Sequence, residues 1–401
     1  MLLRRIKNKL YRVKSDVLAD YYLRKLKNRK YSGNSIKVGF LVQMPELWDK
    51  QNRIYEEMLK RPDFKPVLIV IPGFDLEKNQ LRQYGVEYEF FRKKYPESLL
   101  YKYDDPKLNI QEMDYLFMQR PYDMYMPNGL KSYDIVKFAK LCYLPYGMIC
   151  SDVFVGLNSN REFFRNVYAY FADSEDMLNA VKNKYKNSVK AGIRHHVFLG
   201  YPELENYFNL PHTSKAITVT WTPRWTTDKT YGGSNFLKYK DKMLTIPEKY
   251  DVKMIFRPHP LMFENFIKTG IFSAEQVDEY KKELKDKGII LDIGTDIYDT
   301  FCQTDILITD ISTIIGPFFV SGRPIIYCNG NIELNRLYSK MIDNSYRTDT
   351  FEDIEKALFS ILNNQDIKKE NRQNYIGELK KIHDNASVRI TDYIKKDSNK
   401  Q

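Results

Sequence analysis

A chain of 401 residues is longer than one hydrophobic core ordinarily organises, so two domains are expected. The composition is globular, and no apolar run approaches the ~18 residues that a membrane span needs. The net charge of +11 sits in one place: residues 1–31 carry eleven Lys/Arg against Asp16 and Asp20, leaving a nearly neutral body and little to hold a nucleic acid.

The first 31 residues predict an amphipathic helix. Leu3, Ile6, Leu10, Val13, Val17 and Tyr21 recur at helical spacing among the cations, a pattern that can lie on an anionic membrane surface. No apolar segment of the secretory type follows the basic start, so a cytoplasmic protein is expected, peripheral on the inner face of the cell membrane. Cys142, Cys150, Cys302 and Cys328 lie in apolar contexts without a CxxC spacing and are expected as buried thiols.

After residue 35, short apolar runs alternate with helical patterns. Strands are predicted at 36–42, 66–71, 124–126, 141–144 and 167–172, with helices at 46–60, 110–119, 133–140 and 174–185. A second series follows, with strands at 217–221, 253–256, 289–292, 306–309 and 325–328 and helices at 274–287 and 351–362. This β/α alternation, twice over, predicts two Rossmann-like, doubly wound α/β domains. They span 32–205 and 215–365, and the junction near 200–214 is broken by Pro202 and Pro211. Residues 366–401 predict a final helix that can cross back to the first domain.

The chemistry gathers in the second half. VKMIFRPHP (252–260) and ILITDISTIIGPFFVSGRPIIYC (306–328) each open as a buried strand and end in polar residues. Arg257, His259, Asp310, Ser312 and Thr313 therefore fall at carboxyl ends of strands, where open α/β sheets bind ligands. The start of a helix after Ser312, together with Arg257 and Arg323, suits a nucleotide diphosphate. No cluster of metal ligands is visible, so no metal or cofactor is expected. Asp104-Asp105, the adjacent pair His195-His196 and the loop 231–235 are weak signals. His212 and His383 are expected to be exposed.

These motifs resemble the CDP-glycerol glycerophosphotransferase family of teichoic acid and capsule polymer synthesis. The matching pieces are Gly200-Tyr201-Pro202, Thr220-Trp221-Thr222-Pro223-Arg224-Trp225, Arg257-Pro258-His259-Pro260, Thr309-Asp310-Ile311-Ser312-Thr313 and Ser321-Gly322-Arg323-Pro324. The resemblance implies a GT-B fold: two Rossmann-like domains facing across a cleft, the first for the acceptor and the second for the nucleotide donor. It implies transfer of glycerol phosphate, or a related polyol phosphate, from a CDP-linked donor to a polysaccharide or lipid-linked acceptor. His259 would then contact the diphosphate with Ser312 and Thr313, while Arg224 and Arg257 neutralise charge. Asp310 and Arg323 complete the donor set. Where the family carries Trp-His-Gly in its first domain, this chain has Pro145-Tyr146-Gly147, which leaves Tyr146 and nearby Asp152 as candidate activators of the acceptor. A nucleotide-sugar glycosyltransferase on the same fold, or a non-catalytic scaffold of a polysaccharide assembly complex, are the alternatives.

Overall fold

A computed structural model describes residues 2–29, 35–75, 77–155 and 161–399. Seven short, fully parallel strands build the first sheet: β1 (Ile36–Val42), β2 (Phe64–Val70), β3 (Leu100–Lys102), β4 (Tyr115–Met118), β5 (Lys140–Tyr143), β6 (Ala169–Phe171) and β7 (His195–Val197). Their order is β3-β2-β1-β4-β5-β6-β7. Strands covered on both faces need apolar side chains throughout, and β4 and β5 are buried at every position. Phe40 of β1 stacks on Phe117 of β4 at 4.9 Å and meets Trp48 and Tyr55 edge-on, an aromatic core under that face.

The second sheet repeats the plan with β8 (Thr218–Thr222), β9 (Lys253–Phe256), β10 (Ile290–Leu291), β11 (Ile306–Thr309), β12 (Ile325–Cys328) and β13 (Tyr346–Thr348), in the order β10-β9-β8-β11-β12-β13, again all parallel. Trp221, Phe236, Phe256 and Tyr280 fill its core. Contacts divide the chain into a first unit of Met1–Gly147, Val155–Glu203 and Asn385–Gln401, and a second of Met148–Phe154 and Leu204–Asp384.

Two expected elements, the helix 110–119 and the strand 124–126, are not formed. Residues 110–119 are a single 3-10 turn, Ile110–Glu112, followed by β4, while 124–126 lies in the 3-10 turn Asp123–Tyr125. A four-residue strand buried on both faces shows no alternation, so its apolar run passes for one side of a helix. The final helix is two helices, Lys369–His383 and Ala386–Ser398, which part at Asn385 in the left-handed region at φ 59°. His383, expected at the surface, is buried.

The first of these closing helices belongs to the second unit and the second to the first. What ties Ala386–Ser398 down is Asp397. Its carboxylate accepts from Tyr115 Oη at 2.7 Å and Tyr168 Oη at 2.9 Å, and forms a buried ion pair with Lys140 Nζ at 2.8 Å. Burial alone pushes the two groups in opposite senses, towards a neutral lysine and a neutral acid. At Asp397 the Lys140 charge and the hydroxyl donors outweigh it and hold the carboxyl below its usual range. With this geometry we take the pair as charged.

The N-terminal helix, Leu2–Lys27, sits on the body by a face other than the one the spacing suggests. Ala19, Leu23 and Leu26 are buried, whereas Leu10, Val13, Val17 and Tyr21 are 53–65% exposed. The side chains of Leu3 and Ile6 lie outside the described residues. Asp16 pairs with Arg161 and Arg165, and Asp20 with Arg194, so both acids of the helix are turned to the body. The outward side keeps the apolar stripe together with Lys14, Arg24 and Lys25.

Candidate active site

Strand order reverses between β1 and β4 in the first sheet and between β8 and β11 in the second. Loops leaving the carboxyl ends diverge at such a point and open a crevice, the usual ligand position in doubly wound sheets. Residues 223–225 leave β8 there, 257–260 leave the neighbouring β9, and 310–313 leave β11.

Arg224 is held at the mouth. One guanidinium nitrogen donates to the Ile311 carbonyl at 2.7 Å, and the group lies over the Phe154 ring at 5.4 Å. Its Nε is buried without a hydrogen-bond partner among the described residues. Gly232, at φ 104°, permits this: a Cβ there would come within 2.6 Å of Ile311 and 3.1 Å of Arg224 Nε. His259 sits beside it. The Leu261 N–H donates to His259 Nδ1 at 3.1 Å, so in the neutral ring the proton is on Nε2. Desolvation in the crowded mouth and the charge of Arg224 push its pKa down to about 4. His259 is exposed in the turn after β9, and at neutral pH it is an uncharged Nε2–H donor.

The other residues expected at this site do different things. Asp310 is buried and turned inward: its carboxylate accepts from the N–H groups of Arg224 (2.8 Å) and Asn235 (3.2 Å) and from Asn235 Nδ2 (2.8 Å). It ties the 231–235 loop to the mouth and does not face a ligand. That loop, a weak signal in the sequence, supplies Gly232, Ser234 and Asn235 to the same edge. Arg257 is committed to structure by an ion pair with Asp292 at 2.5 Å and a bond to the Gly294 carbonyl at 2.7 Å. Arg323 precedes β12 and so lies at the amino end of the sheet, away from the crevice. There it donates to the carbonyls of Phe301 (2.6 Å), Thr304 (2.9 Å), Leu210 (3.1 Å) and Pro211 (3.0 Å). Both arginines read as phosphate ligands in sequence because a cation after a turn looks the same whichever end of a strand it serves.

Ser312 and Thr313 precede a helix of only five residues, Ile315–Phe319, which starts without a side-chain cap. A helix that short carries little dipole, so the expected phosphate site at a helix start is not formed. Ser312 Oγ instead accepts weakly from the Ile314 N–H at 3.4 Å, and Thr313 is exposed in the turn.

Tyr146 and Asp152 belong to different units. The Tyr146 hydroxyl lies 2.9 Å from that of Tyr122, and burial pushes its pKa well up. It therefore stays protonated and is a hydrogen-bond donor, not a base. Asp152 is exposed in the turn Asp152–Phe154, two residues before the ring beneath Arg224.

Two parallel sheets with a shared strand order and a polar mouth at the second switch point define a GT-B protein. Solved structures agree on the fold. A putative UDP-N-acetylglucosamine 2-epimerase from Listeria monocytogenes superposes with a TM-score of 0.58 at 11% identity, covering 90% of this chain and 96% of that one. The Neisseria meningitidis UDP-GlcNAc 2-epimerase bound to UDP-GlcNAc gives 0.56 at 11%, covering 90% and 100%. The wall teichoic acid polymerase TagF gives 0.54 at 13%, covering 100% and 98%. No curated protein sequence matches the chain. Residues 198–396 match the family described as CDP-Glycerol:Poly(glycerophosphate) glycerophosphotransferase. This match bears out, over the second half of the chain, the resemblance that the motifs carry.

Proposed function

We propose that the protein transfers glycerol phosphate, or a related polyol phosphate, from a CDP-linked donor to a hydroxyl of a cell-surface polysaccharide or lipid-linked acceptor. The observation that carries this is the pairing of Arg224 with the Nε2–H of His259 at the second switch point, within the segment that matches the family. In the reaction the acceptor oxygen bonds to the β-phosphorus, the bond from that phosphorus to the bridging oxygen breaks, and CMP leaves. Negative charge then has to be held on the phosphates. A fixed cation and a neutral donor that need no reorganisation do this best. Tyr146 is no base here, so the acceptor proton goes to another group, and Asp152 is the carboxylate we assign to it. The mechanism needs no metal, and turnover in EDTA should match turnover without it.

The same reading places the enzyme on the inner face of the cell membrane. The outward stripe of the N-terminal helix presents apolar side chains and cations together, the combination that anionic lipid attracts at about 1 kcal/mol per cation. A nucleotide-sugar transferase is the second reading, favoured by the missing first-domain histidine and by the UDP-GlcNAc bound to one structural neighbour. Calorimetry separates the two: CDP-glycerol should bind to the wild-type chain and at least tenfold more weakly to Arg224→Gln. Binding of UDP-sugars in its place would select the second reading.

A further inference from the structure

The docked side of the N-terminal helix meets one edge of the first sheet. Asp20 pairs with Arg194, the residue before β7, and Lys27 Nζ donates to the Ala191 carbonyl at 3.2 Å on the same approach. Asp16 pairs with Arg161 and Arg165, which lead into β6, and Arg29 donates to the Phe138 carbonyl just ahead of β5. Every one of these partners lies where the chain enters a strand. The strands are parallel, so their amino ends share one edge, and residues 16–29 sit along it. Ala19, Leu23 and Leu26 are buried in the contact. Apolar burial supplies most of the hold, and the ion pairs fix the rotation of the helix about its axis.

The switch point of that sheet opens at the other edge. Gln119, just past β4, accepts through Oε1 from the N–H groups of Gln43 (2.7 Å) and Met44 (2.9 Å), just past β1, and Gln43 Nε2 donates to the Tyr125 carbonyl at 3.1 Å. These loops leave the carboxyl ends of the strands, where doubly wound sheets take their ligands. The strands between the two edges hold three to seven residues. At ~3.3 Å per residue, with the ~10 Å width of a helix beneath, the carboxyl edge stands roughly 20–30 Å from the outward side of the N-terminal helix. That outward side is the stripe of Leu10, Val13, Val17 and Tyr21, with Lys14 and Arg24 beside it. It points away from the sheet, because positions 17 and 21 fall across the helix from 19, 23 and 26.

We propose that the N-terminal helix seats the first unit on an anionic bilayer with the carboxyl edge of its sheet turned away from the lipid, and that the acceptor is therefore the far end of a chain of several repeat units. A head group at the bilayer surface does not span the height of the sheet; a chain of several repeats does. The orientation rests on the membrane reading of the outward stripe given above, and the identity of the acceptor rests in addition on the transferase reading. The helix is then a rigid seat and not a loose tether, since a tether would let the edge swing down to the surface.

Labels at the two edges read the orientation without any turnover. The four cysteines are buried. Lys190→Cys, just ahead of β7, and Met124→Cys, in the turn beside Gln43, therefore each offer one exposed thiol for a fluorophore. Each labelled full-length chain is bound to phosphatidylglycerol vesicles that carry an energy-accepting lipid dye. Energy transfer should be several-fold more efficient from the label at 190 than from the label at 124. Equal transfer, or more from 124, overturns the proposal, and so does wild-type protein that binds no such vesicles. The acceptor is tested by CMP release from CDP-glycerol on the same vesicles. Release should be at least tenfold faster with a lipid-linked chain of several glycerol phosphates than with a single glycerol phosphate on the lipid, and the preference should vanish when both are offered in water-soluble, short-acyl form. Equal rates on vesicles overturn the assignment of the acceptor. No release with any acceptor overturns the transferase reading and the acceptor with it, and leaves the orientation to the energy-transfer result.

Discussion

Arg224 and Arg257 leave neighbouring strands at the same edge of one sheet, and their neighbours decide what each can do. Arg257 meets Asp292 at the end of β10 and is neutralised; Arg224 meets a carbonyl and a ring and keeps its charge for a ligand. Arg257→Ala should therefore cost stability, about 1–3 kcal/mol for the orphaned carboxylate, seen as a lower Tm, with donor affinity of the folded protein within threefold of wild type. A tenfold loss of affinity at unchanged Tm would return Arg257 to the donor site. His259 supplies a pH test. Its folded pKa, about 4, lies below the ordinary value of ~6.5. The folded state thus prefers the neutral ring, so any stability it contributes is present above ~6.5 and is lost as pH falls towards 4. Donor affinity should be flat from about pH 6 to 8. A titration centred near ~6.5 would mean a charged histidine and a different role.

The elements explain what could be read in advance and what could not. β1, β9, β11 and β12 stand where their apolar runs put them, and the helices Glu175–Lys184 and Phe351–Leu362 start at Ser174 and Thr350, side chains that cap them. The strand β4 was missed because four buried residues carry no period. The loop 231–235 was missed because its part in the site comes from Asp310, 75 residues away along the chain. Asp397 is the sharpest case: an acid near the end of a polar helix gives no sign that Lys140, Tyr115 and Tyr168 converge on it. Asp397→Ala would leave Lys140 buried without its carboxylate partner, at a cost of about 3–5 kcal/mol. Thermal unfolding should show that loss, and hydrogen exchange should rise first in the helix Ala386–Ser398. A variant as stable as wild type would mean that the helix is held by its apolar contacts alone.

On the scale of the whole molecule, the α/β alternation sufficed to predict two doubly wound sheets, because parallel strands buried on both faces leave a plain signal. It could not predict which face of the N-terminal helix meets the body. That face holds Ala19, Leu23 and Leu26, so removing the whole helix would expose core; the cleaner perturbation is on the outward stripe. Val17→Glu with Tyr21→Glu should leave the fold intact and abolish co-sedimentation with vesicles containing phosphatidylglycerol, and high salt should weaken wild-type binding. Wild-type protein that ignores such vesicles at low salt would remove the membrane from the account. The transfer reaction is checked by CMP release from CDP-glycerol in the presence of a glycerol phosphate acceptor. The wild-type chain should release CMP, and His259→Ala should lose at least a hundredfold, with Tm within a few degrees. No CMP release, or activity of His259→Ala within threefold of wild type, would contradict it.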